Sequence, residues 1–385
     1  MQITVFSFLM SVVWSSVVIL LIHIFRKKQF FLNGFGLLTA ILFCALSIGR
    51  MVIAVELPFT HEIPVPEIYN RFYNTIRTSP FSFGEHGVSF VSLFLFLWCT
   101  VSVALLAVFF IRELLARKQL RTYRFVSSDQ LQSALEDVQE KFGGKLHIRI
   151  FECPDIRIPM GTGILNKCIL MPQAEYSDEE LRHIVMHEYM HFRNKDLQIL
   201  LLTELFTRIF WWNPFIYILK ADIRRILELK CDLSVITNIT ETQRTDYLRT
   251  LRSCLEQSKK CRGLAPPPVS AQLVRKNNQK EEMLERFKLI AYPVQKNYIR
   301  FQTVSILCFS LLMLLSYSFV LQPQYQPPQE EIYSHSGVDE AGTLSGYILE
   351  KKDGSYIFID ESGLEFKLTP KTLEVFSEMF EVRKE

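Results

Sequence analysis

The chain has 385 residues, of which 49% are hydrophobic and 31 are Phe, and its formal net charge is +3. This composition is too apolar for an ordinary soluble enzyme of this length. The small net charge, without an aromatic–basic module or metal-finger spacing, excludes direct nucleic-acid binding as the expected function.

Four stretches of about twenty mostly apolar residues are long enough to cross a bilayer. They are residues 3–25, 35–55, 88–111 and 301–321. The alternative for any one of them is a buried core helix. The first, third and fourth contain almost no charged residues, which argues against this alternative. The second contains Arg50 near its end, where a long side chain can reach the interface.

Basic residues lie between the first two stretches, after the third and before the fourth: Arg26, Lys27, Lys28, Arg112, Arg117, Lys118, Arg121, Arg124, Lys296 and Arg300. By the positive-inside rule, the N-terminus, the loop 56–87 and the C-terminal part 322–385 are expected outside, and residues 112–300 in the cytoplasm. The predicted fold class is a mainly α membrane protein with four transmembrane helices, surrounded by membrane lipid. It carries a cytoplasmic α+β domain and a small α+β extracellular module.

A zinc-binding pattern, HExxH, begins at His187. Ser177, followed three residues later by a glutamate, predicts a capping box and a helix over residues 178–192. Because positions i and i+4 lie on one helical face, His187 and His191 can direct both imidazoles at one ion. Glu188 is placed to accept a proton from water. The alternative is an amphipathic helix that carries two histidines by accident.

A catalytic zinc site needs a third protein ligand. Pro214 begins a second predicted helix, which contains Glu228 and, one turn later, Asp232. We assign Glu228 as the third ligand and Asp232 as an acceptor that holds a ligating histidine in the right tautomer. Cys231 could ligate instead, although a small buried side chain is its commoner role. Glu228 could also be a solvated helical charge.

Two further residues flank the motif. His183 stacks one turn before His187, which allows a three-histidine ladder, but a structural role beside the metal is expected for it. Asp196 either braces the site or faces water. The apolar run 199–210 is a poor fifth span because it contains charges, and a fifth span would separate Glu228 from His187 across the membrane. It is expected to lie buried in the catalytic domain or against the inner leaflet.

The part after the last apolar stretch predicts a small module of strands and one helix. The dipeptide 353–354, Asp-Gly, predicts a hairpin between strands 347–349 and 356–359. Residues 364–368 predict a third strand, and Thr369-Pro370 begins a final helix.

The ordered motifs HEYMH, WWNP and ELKCD, with three apolar stretches before them and one after, resemble the BlaR/MecR-type membrane zinc metallopeptidases. Those bacterial proteins are antibiotic-sensing signal transducers, and the resemblance covers roughly residues 1–321. It implies a gluzincin-like protease domain in the bacterial cell membrane, with Glu188 as general base and Zn²⁺ held by His187, His191 and Glu228. Tyr189 stands where Leu is more usual, a departure that does not touch the ligands.

The resemblance also implies substrates. Such proteins cut a cytoplasmic DNA-binding repressor, and some cut themselves ahead of the last span. Residues 259–293 look like an exposed flexible segment suited to self-cleavage, although a plain linker is an equal alternative. Residues 147–153 alternate weakly, and enzymes of this type bind extended substrate along such an edge strand.

The C-terminal module departs from the antibiotic sensors. Those proteins end in a large penicillin-binding domain with a Ser-x-x-Lys nucleophile, which does not occur in residues 322–385. The module is therefore expected to bind another outside ligand or protein, or to act as a stabilising cap.

The expected function is a membrane-embedded zinc endopeptidase that transduces a signal by cleaving a cytoplasmic protein, such as a transcriptional repressor. The main alternative is a non-proteolytic membrane sensor or scaffold with a structural metal site, against which the intact Glu188 argues. A transporter is disfavoured because the spans lack intramembrane charge pairs.

Overall fold

The computed structural model describes residues 5–26, 34–53, 60–65, 81–83, 86–88, 90–122, 127–143, 146–154, 156, 158–260, 270–272, 279–292, 299–323, 346–351, 356–360, 365–368, 373, 377 and 380–384. The chain divides into two compact units, Met1–Leu321 and Gln322–Glu385, and each is considered by itself.

The first unit is mainly helical. In chain order its helices are α1 (Val5–Arg26), α2 (Gly34–Val52), α3 (Phe90–Thr122), α4 (Asp129–Phe142), α5 (Asp178–Arg193), α6 (Asp196–Ile209), α7 (Pro214–Ile236), α8 (Glu241–Lys260), α9 (Gln279–Ala291) and α10 (Ile299–Ser318). Its strands are β1 (His61–Val65), β2 (Phe81–Phe83), β3 (His86–Val88), β4 (Ile148–Cys153), β5 (Met160–Thr162), β6 (Lys167–Pro172) and β7 (Ser270–Gln272). Strand β8 (Phe319–Pro323) begins in this unit and ends just past its last residue.

The four predicted spans coincide with the apolar helices α1, α2, α3 and α10. Two helices are long and apolar enough to cross a membrane, over Ser7–Arg26 and Phe90–Gln119, whereas Gly36–Val52 and Thr303–Ser318 are shorter apolar helices. The third helix continues past the predicted end at residue 111 to Thr122, because its charged residues are also good helix formers.

A four-stranded sheet in the order β4-β6-β5-β7 lies beside α5. Strand β4 is parallel to β6, whereas β5 is antiparallel to both β6 and β7. The predicted edge strand 147–153 is therefore present as β4, at one edge. The other edge is β7, which the sequence analysis did not predict.

The prediction of an exposed flexible segment over residues 259–293 is wrong for its described parts. Besides β7, the segment contains helix α9, whose buried face carries Met283, Arg286, Leu289 and Ile290. These residues recur at spacings of three and four, so they lie on one helical face and pack into the core.

Helices α6 and α7 form a hairpin that packs among the apolar helices. Its turn is held on two sides: the Trp98 indole N–H and the Ser102 hydroxyl, both on α3, donate to the carbonyl of Ile209, the latter over 3.1 Å. The Asn213 amide donates to the Ser16 hydroxyl on α1 over 3.3 Å. The apolar run 199–210 is thus contained mostly in α6, the first helix of this hairpin.

Helix α7 leaves this turn and makes a second contact with α1. The buried carboxylate of Asp222 accepts hydrogen bonds from Arg26 and from His23, the latter over 2.8 Å. Arg26 also reaches Glu285 on α9 at 3.2 Å. Contacts at two positions along α1 therefore fix the position of α7 relative to α1. Helix α7 then continues to Glu228.

The second unit contains a four-stranded sheet in the order β11-β10-β9-β12, formed by β9 (Gly346–Glu350), β10 (Tyr356–Asp360), β11 (Glu365–Lys367) and β12 (Val382–Lys384). The predicted hairpin pairs β9 with β10 antiparallel, and the third strand is β11. Strand β12 runs parallel to β9 and was not predicted. The predicted final helix from Thr369 falls mostly outside the described residues.

Candidate metal centre

The HExxH motif lies on α5, as predicted. The Ser177 hydroxyl accepts from the Glu180 amide over 3.2 Å, and the Glu180 carboxylate accepts from the Ser177 amide over 3.0 Å, so the capping box is confirmed. Because this cap fixes the start of the helix, it also fixes which residues face inward. His187, Glu188 and His191 are at most 1% exposed.

The two histidine rings converge on one point, and Glu228 on α7 faces the same point. The Nε2 atoms of His187 and His191 are 3.2 Å apart. The Glu228 carboxylate oxygens lie 3.4 Å from Nε2 of His187 and 3.7 Å from Nε2 of His191. The structure therefore brings together the three predicted ligands from two separate helices.

The Nδ1 atom of His187 lies against two residues on α7 and α8. It is 2.9 Å from the Tyr247 hydroxyl and 3.2 Å from Asp232 Oδ1. Tyr247 in turn donates to Asp232 Oδ1 over 2.6 Å. Since both neighbours can accept a proton from Nδ1, we assign the proton to Nδ1, which leaves the lone pair on Nε2.

The Nδ1 atom of His191 is held in the same way by Asp196, whose Oδ2 lies 2.9 Å away. Asp196 is fully buried, so the prediction that it either braces the site or faces water is resolved in favour of bracing. It follows Lys195, whose φ of 59° is in the left-handed region. This uncommon conformation turns the chain sharply enough for Asp196 to return to a histidine only five residues earlier.

Cys231 and His183 do not face the convergence point. The Cys231 thiol donates to Asp196 Oδ2 over 3.1 Å, on the Nδ1 side of His191. Three donors, those of His191, Asp196 and Cys231, could also surround a cation, but there Asp196 already accepts from both partners. His183 Nδ1 lies 3.4 Å from the Thr250 hydroxyl, a structural contact.

The donor set fits zinc. Two nitrogen ligands of a tetrahedral zinc ion, each about 2.0–2.1 Å from it, are about 3.3 Å apart, close to the 3.2 Å between the two Nε2 atoms. Two lone pairs at this distance repel each other unless a cation or a proton lies between them. Glu228 Oε2 has no hydrogen-bond partner among the described residues, so a ligating oxygen is also free.

The charges around the histidines favour a cation. Burial alone lowers the pKa of His187, but the neighbouring carboxylates of Asp232 and Glu228 outweigh burial and raise it to about 9. The pKa of His191 is also raised, because Asp196 outweighs the effect of burial. The pKa of Glu228 is lowered, since contact with the histidines and Arg286 exceeds the opposing effect of burial. The site therefore attracts positive charge even before a metal binds.

Glu188 differs from every other acidic residue of the site. Both of its carboxylate oxygens are buried and make no hydrogen bond at ordinary geometry with the described residues. Burial raises its pKa, with smaller opposing effects from the two histidines and from the backbone of Gly161 on β5. A buried carboxylate without a hydrogen bond is costly, so Glu188 is available to accept a proton from a group that binds beside the two histidines.

Three features of this site were missed by the sequence analysis. Tyr247 and Arg286 contact Asp232 from α8 and α9, and neither belongs to a motif with metal-ligand spacing. Gly161 on β5 lies directly against Glu188, so that a Cβ there would be 3.1 Å from Oε2. A glycine at this position therefore leaves the Glu188 carboxylate where it lies, whereas any side chain would displace it slightly.

The comparisons with known proteins show the family of this chain. The family model of the BlaR1 peptidase M56 matches residues 71–290, more than half of the chain, and this region contains all the residues of the candidate centre. The chain belongs to the BlaR1 peptidase M56 family.

The M56 assignment is accompanied by similarity to curated relatives. The regulatory protein BlaR1 of Bacillus licheniformis is 24% identical over 159 residues, 40% of this chain and 26% of the relative. The methicillin resistance mecR1 protein of Staphylococcus aureus strain Mu50 is 30% identical over 113 residues, 29% of this chain and 19% of the relative. The chain therefore spans about a quarter or less of the length of the relatives that it matches.

The contact between β5 and the M56 centre predicts the effect of Gly161→Ala. The added methyl group would meet the Glu188 carboxylate and the Phe192 ring at 3.1–3.2 Å, so the carboxylate must move by a few tenths of an ångström. We expect peptidase activity to fall roughly tenfold, because catalytic geometry tolerates such shifts poorly. Metal content should be unchanged, since the contact does not involve a predicted ligand.

The matched control is Gly49→Ala on α2, where a Cβ would meet nothing within 4 Å. Activity is measured on a fluorescently labelled unfolded protein, and bound metal by atomic spectroscopy. Full activity in Gly161→Ala, or loss of metal from it, would contradict the expected role of this contact.

Proposed function

We propose that this M56 protein is a membrane-embedded, zinc-dependent endopeptidase. The observation that carries the proposal is the meeting of two buried imidazole lone pairs and the Glu228 carboxylate at one point, next to the unpaired carboxylate of Glu188. A purely structural metal site would use such ligands but would gain nothing from keeping Glu188 buried and unpaired.

The side chains have separate roles in peptide hydrolysis. When bound by His187, His191 and Glu228, zinc would polarise the scissile carbonyl and make the attacking water more acidic. Glu188 takes the proton of that water as its oxygen bonds to the carbonyl carbon, and then gives it to the leaving amine as the C–N bond breaks. Asp232 and Asp196 hold the imidazoles so that both Nε2 atoms stay deprotonated.

The backbone of β5 supports a position for the substrate. Gly161 on this strand touches Glu188, so a peptide paired with β5 would lie beside the base. Strand β7 of the same chain pairs with this edge antiparallel, with Gly161 opposite Ala271. The substrate edge is thus proposed to be β5 rather than β4, and the segment around Ser270–Gln272 to be a site of self-cleavage ahead of the last apolar helix.

The proposed topology places both termini outside the bacterial cell and the metal centre in the cytoplasm. One contact supports this topology. Arg26 lies at the end of α1 where the basic cluster begins, and it binds Asp222 on α7, the helix that carries Glu228. The separate substrate is then a cytoplasmic protein, for which a DNA-binding repressor is the proposed class, and the module 322–385 faces outside ligands or proteins.

A C-terminal epitope tag should be detected on intact cells; detection only after lysis would overturn this topology.

The role of Glu188 is tested by Glu188→Gln. We expect this variant to lose peptide cleavage by about 10²–10⁴-fold, because an amide cannot accept the proton of water. It should keep its zinc, since Glu188 is not a proposed ligand. Cleavage is followed by comparing the cytoplasmic proteins, and the fragments of the chain itself, in cells that make either form.

The matched control is Glu179→Gln, an exposed glutamate on the same helix, which should leave cleavage and zinc unchanged. Undiminished cleavage in Glu188→Gln would refute the proposed mechanism. A wild-type protein that holds zinc but cleaves neither itself nor any cytoplasmic protein would support the scaffold alternative.

The role of β7 is tested by replacing Ser270–Gln272 with three prolines. Proline has no backbone N–H, so the pairing with β5 is lost whichever residues donate to it. We expect self-cleavage near this segment to fall at least roughly tenfold, while cleavage of an added unfolded protein is kept or increased. Three serines at the same positions are the control, and mass spectrometry identifies the fragments; equal self-cleavage in both replacements would contradict the proposal.

A further inference from the structure

Helix α9 places one buried cationic side chain, Arg286, next to the metal centre on the side of Asp232. Arg286 is 4% exposed, and its guanidinium donates to both oxygens of Asp232, from Nε over 2.6 Å and from Nη2 over 2.7 Å. Its third nitrogen lies 3.6 Å from Glu228 Oε2. One side chain therefore contacts a proposed zinc ligand and the carboxylate that orients another.

The bidentate contact determines how Asp232 can be used. Asp232 Oδ1 accepts from Tyr247 and lies 3.2 Å from His187 Nδ1, and both oxygens accept from Arg286. With both oxygens engaged, the carboxylate cannot rotate toward the convergence point and become a competing ligand. A planar guanidinium imposes this orientation, whereas a lysine ammonium is a point charge that does not.

Arg286 also completes the charge balance of the loaded site. Four buried or partly buried acidic side chains surround the histidines: Glu188, Asp196, Glu228 and Asp232. A divalent ion would offset half of their charge, and the remainder is matched by Arg286 and by Lys230, whose Nζ is 3.5 Å from Asp196. Without Arg286, a buried negative charge would stay uncompensated even with metal bound.

We propose that Arg286 is a positioning residue of the metal centre, which orients His187 through Asp232 and prevents Asp232 from ligating the ion. The proposal rests on the proposed zinc peptidase function and adds to it a residue that acts without touching the metal. Because Arg286 lies on α9, the centre is complete only while α9 is docked against α7.

The decisive variant is Arg286→Lys, because it keeps the positive charge and removes the bidentate geometry. Replacing Arg286 by an uncharged residue would be less informative, since losing a cation near the site would by itself strengthen metal binding. We expect Arg286→Lys to lower zinc affinity about tenfold or more, as for other residues that orient metal ligands. It should also lower kcat by a larger factor than it changes KM.

The matched control is Arg225→Lys. Arg225 on α7 pairs with Glu282 on α9, Nε to Oε1 over 3.4 Å, so this variant makes the same chemical change in another ion pair between the same two helices. It should leave zinc affinity and the kcat unchanged. Equal losses in both variants would show that docking of α9, and not the guanidinium at Asp232, is responsible, and would overturn the proposal.

The measurements use the full chain in detergent, restricted to the folded fraction from gel filtration. Zinc affinity is measured by competition with a chelating dye, and the ligand geometry by the visible spectrum of the cobalt(II)-loaded protein. The Arg286→Lys spectrum should differ from that of the wild type, and that of Arg225→Lys should not. Wild-type zinc affinity and an unchanged cobalt spectrum in Arg286→Lys would refute the inference; failure of the wild type to bind either metal would refute the proposed function instead.

Discussion

The arrangement on which the rest of this site depends is the approach of two imidazole lone pairs inside the protein. His187 and His191 direct their Nε2 atoms at each other over 3.2 Å because each Nδ1 is held from behind. Asp196 reaches its ring through the left-handed turn at Lys195, and Asp232 reaches the other from α7. With the proton of each ring assigned to Nδ1, two lone pairs face each other, and positive charge between them relieves their repulsion.

Helix α7 connects this contact to the apolar helices. Asn213, which caps its start, donates to Ser16 on α1, and α7 meets α1 again where Arg26 binds Asp222. Glu228 follows Asp222 by about 9 Å along the helix axis, at 1.5 Å per residue. A single rigid element therefore contacts the first apolar helix at two heights and supplies a proposed ligand. Because no loop separates the two contacts from Glu228, a displacement of α1 along this axis would shift the position of that ligand.

The local parts of this structure were predictable from sequence, and the long-range parts were not. The capping box at Ser177 and the start of α7 at Pro214 follow from spacing and helix geometry. For Glu228, spacing left Cys231 and a solvated charge as alternatives, and the family resemblance decided between them. Arg286 and strand β7 lie in a segment whose prolines and charges indicated a flexible linker. Their partners are more than 50 residues distant, as in the contact of Arg286 with Asp232. No periodicity within the segment specifies such a contact.

The same segment after α8 supplies both the strand on the proposed substrate edge and the helix that bears Arg286. These two elements are held differently. Strand β7 contributes three residues paired with β5, whereas α9 is held by ion pairs that include those of Arg286 with Asp232, of Glu282 with Arg225 and of Glu285 with Arg26. A cut at β7, where self-cleavage is proposed, would therefore release the short strand and open the edge of β5 beside Glu188. The buried pair of Arg286 with Asp232 and the two partly exposed pairs would keep α9, and with it the orientation of Asp232, in place. Self-cleavage at this position would thus expose the cleft to a second substrate while leaving the metal centre assembled.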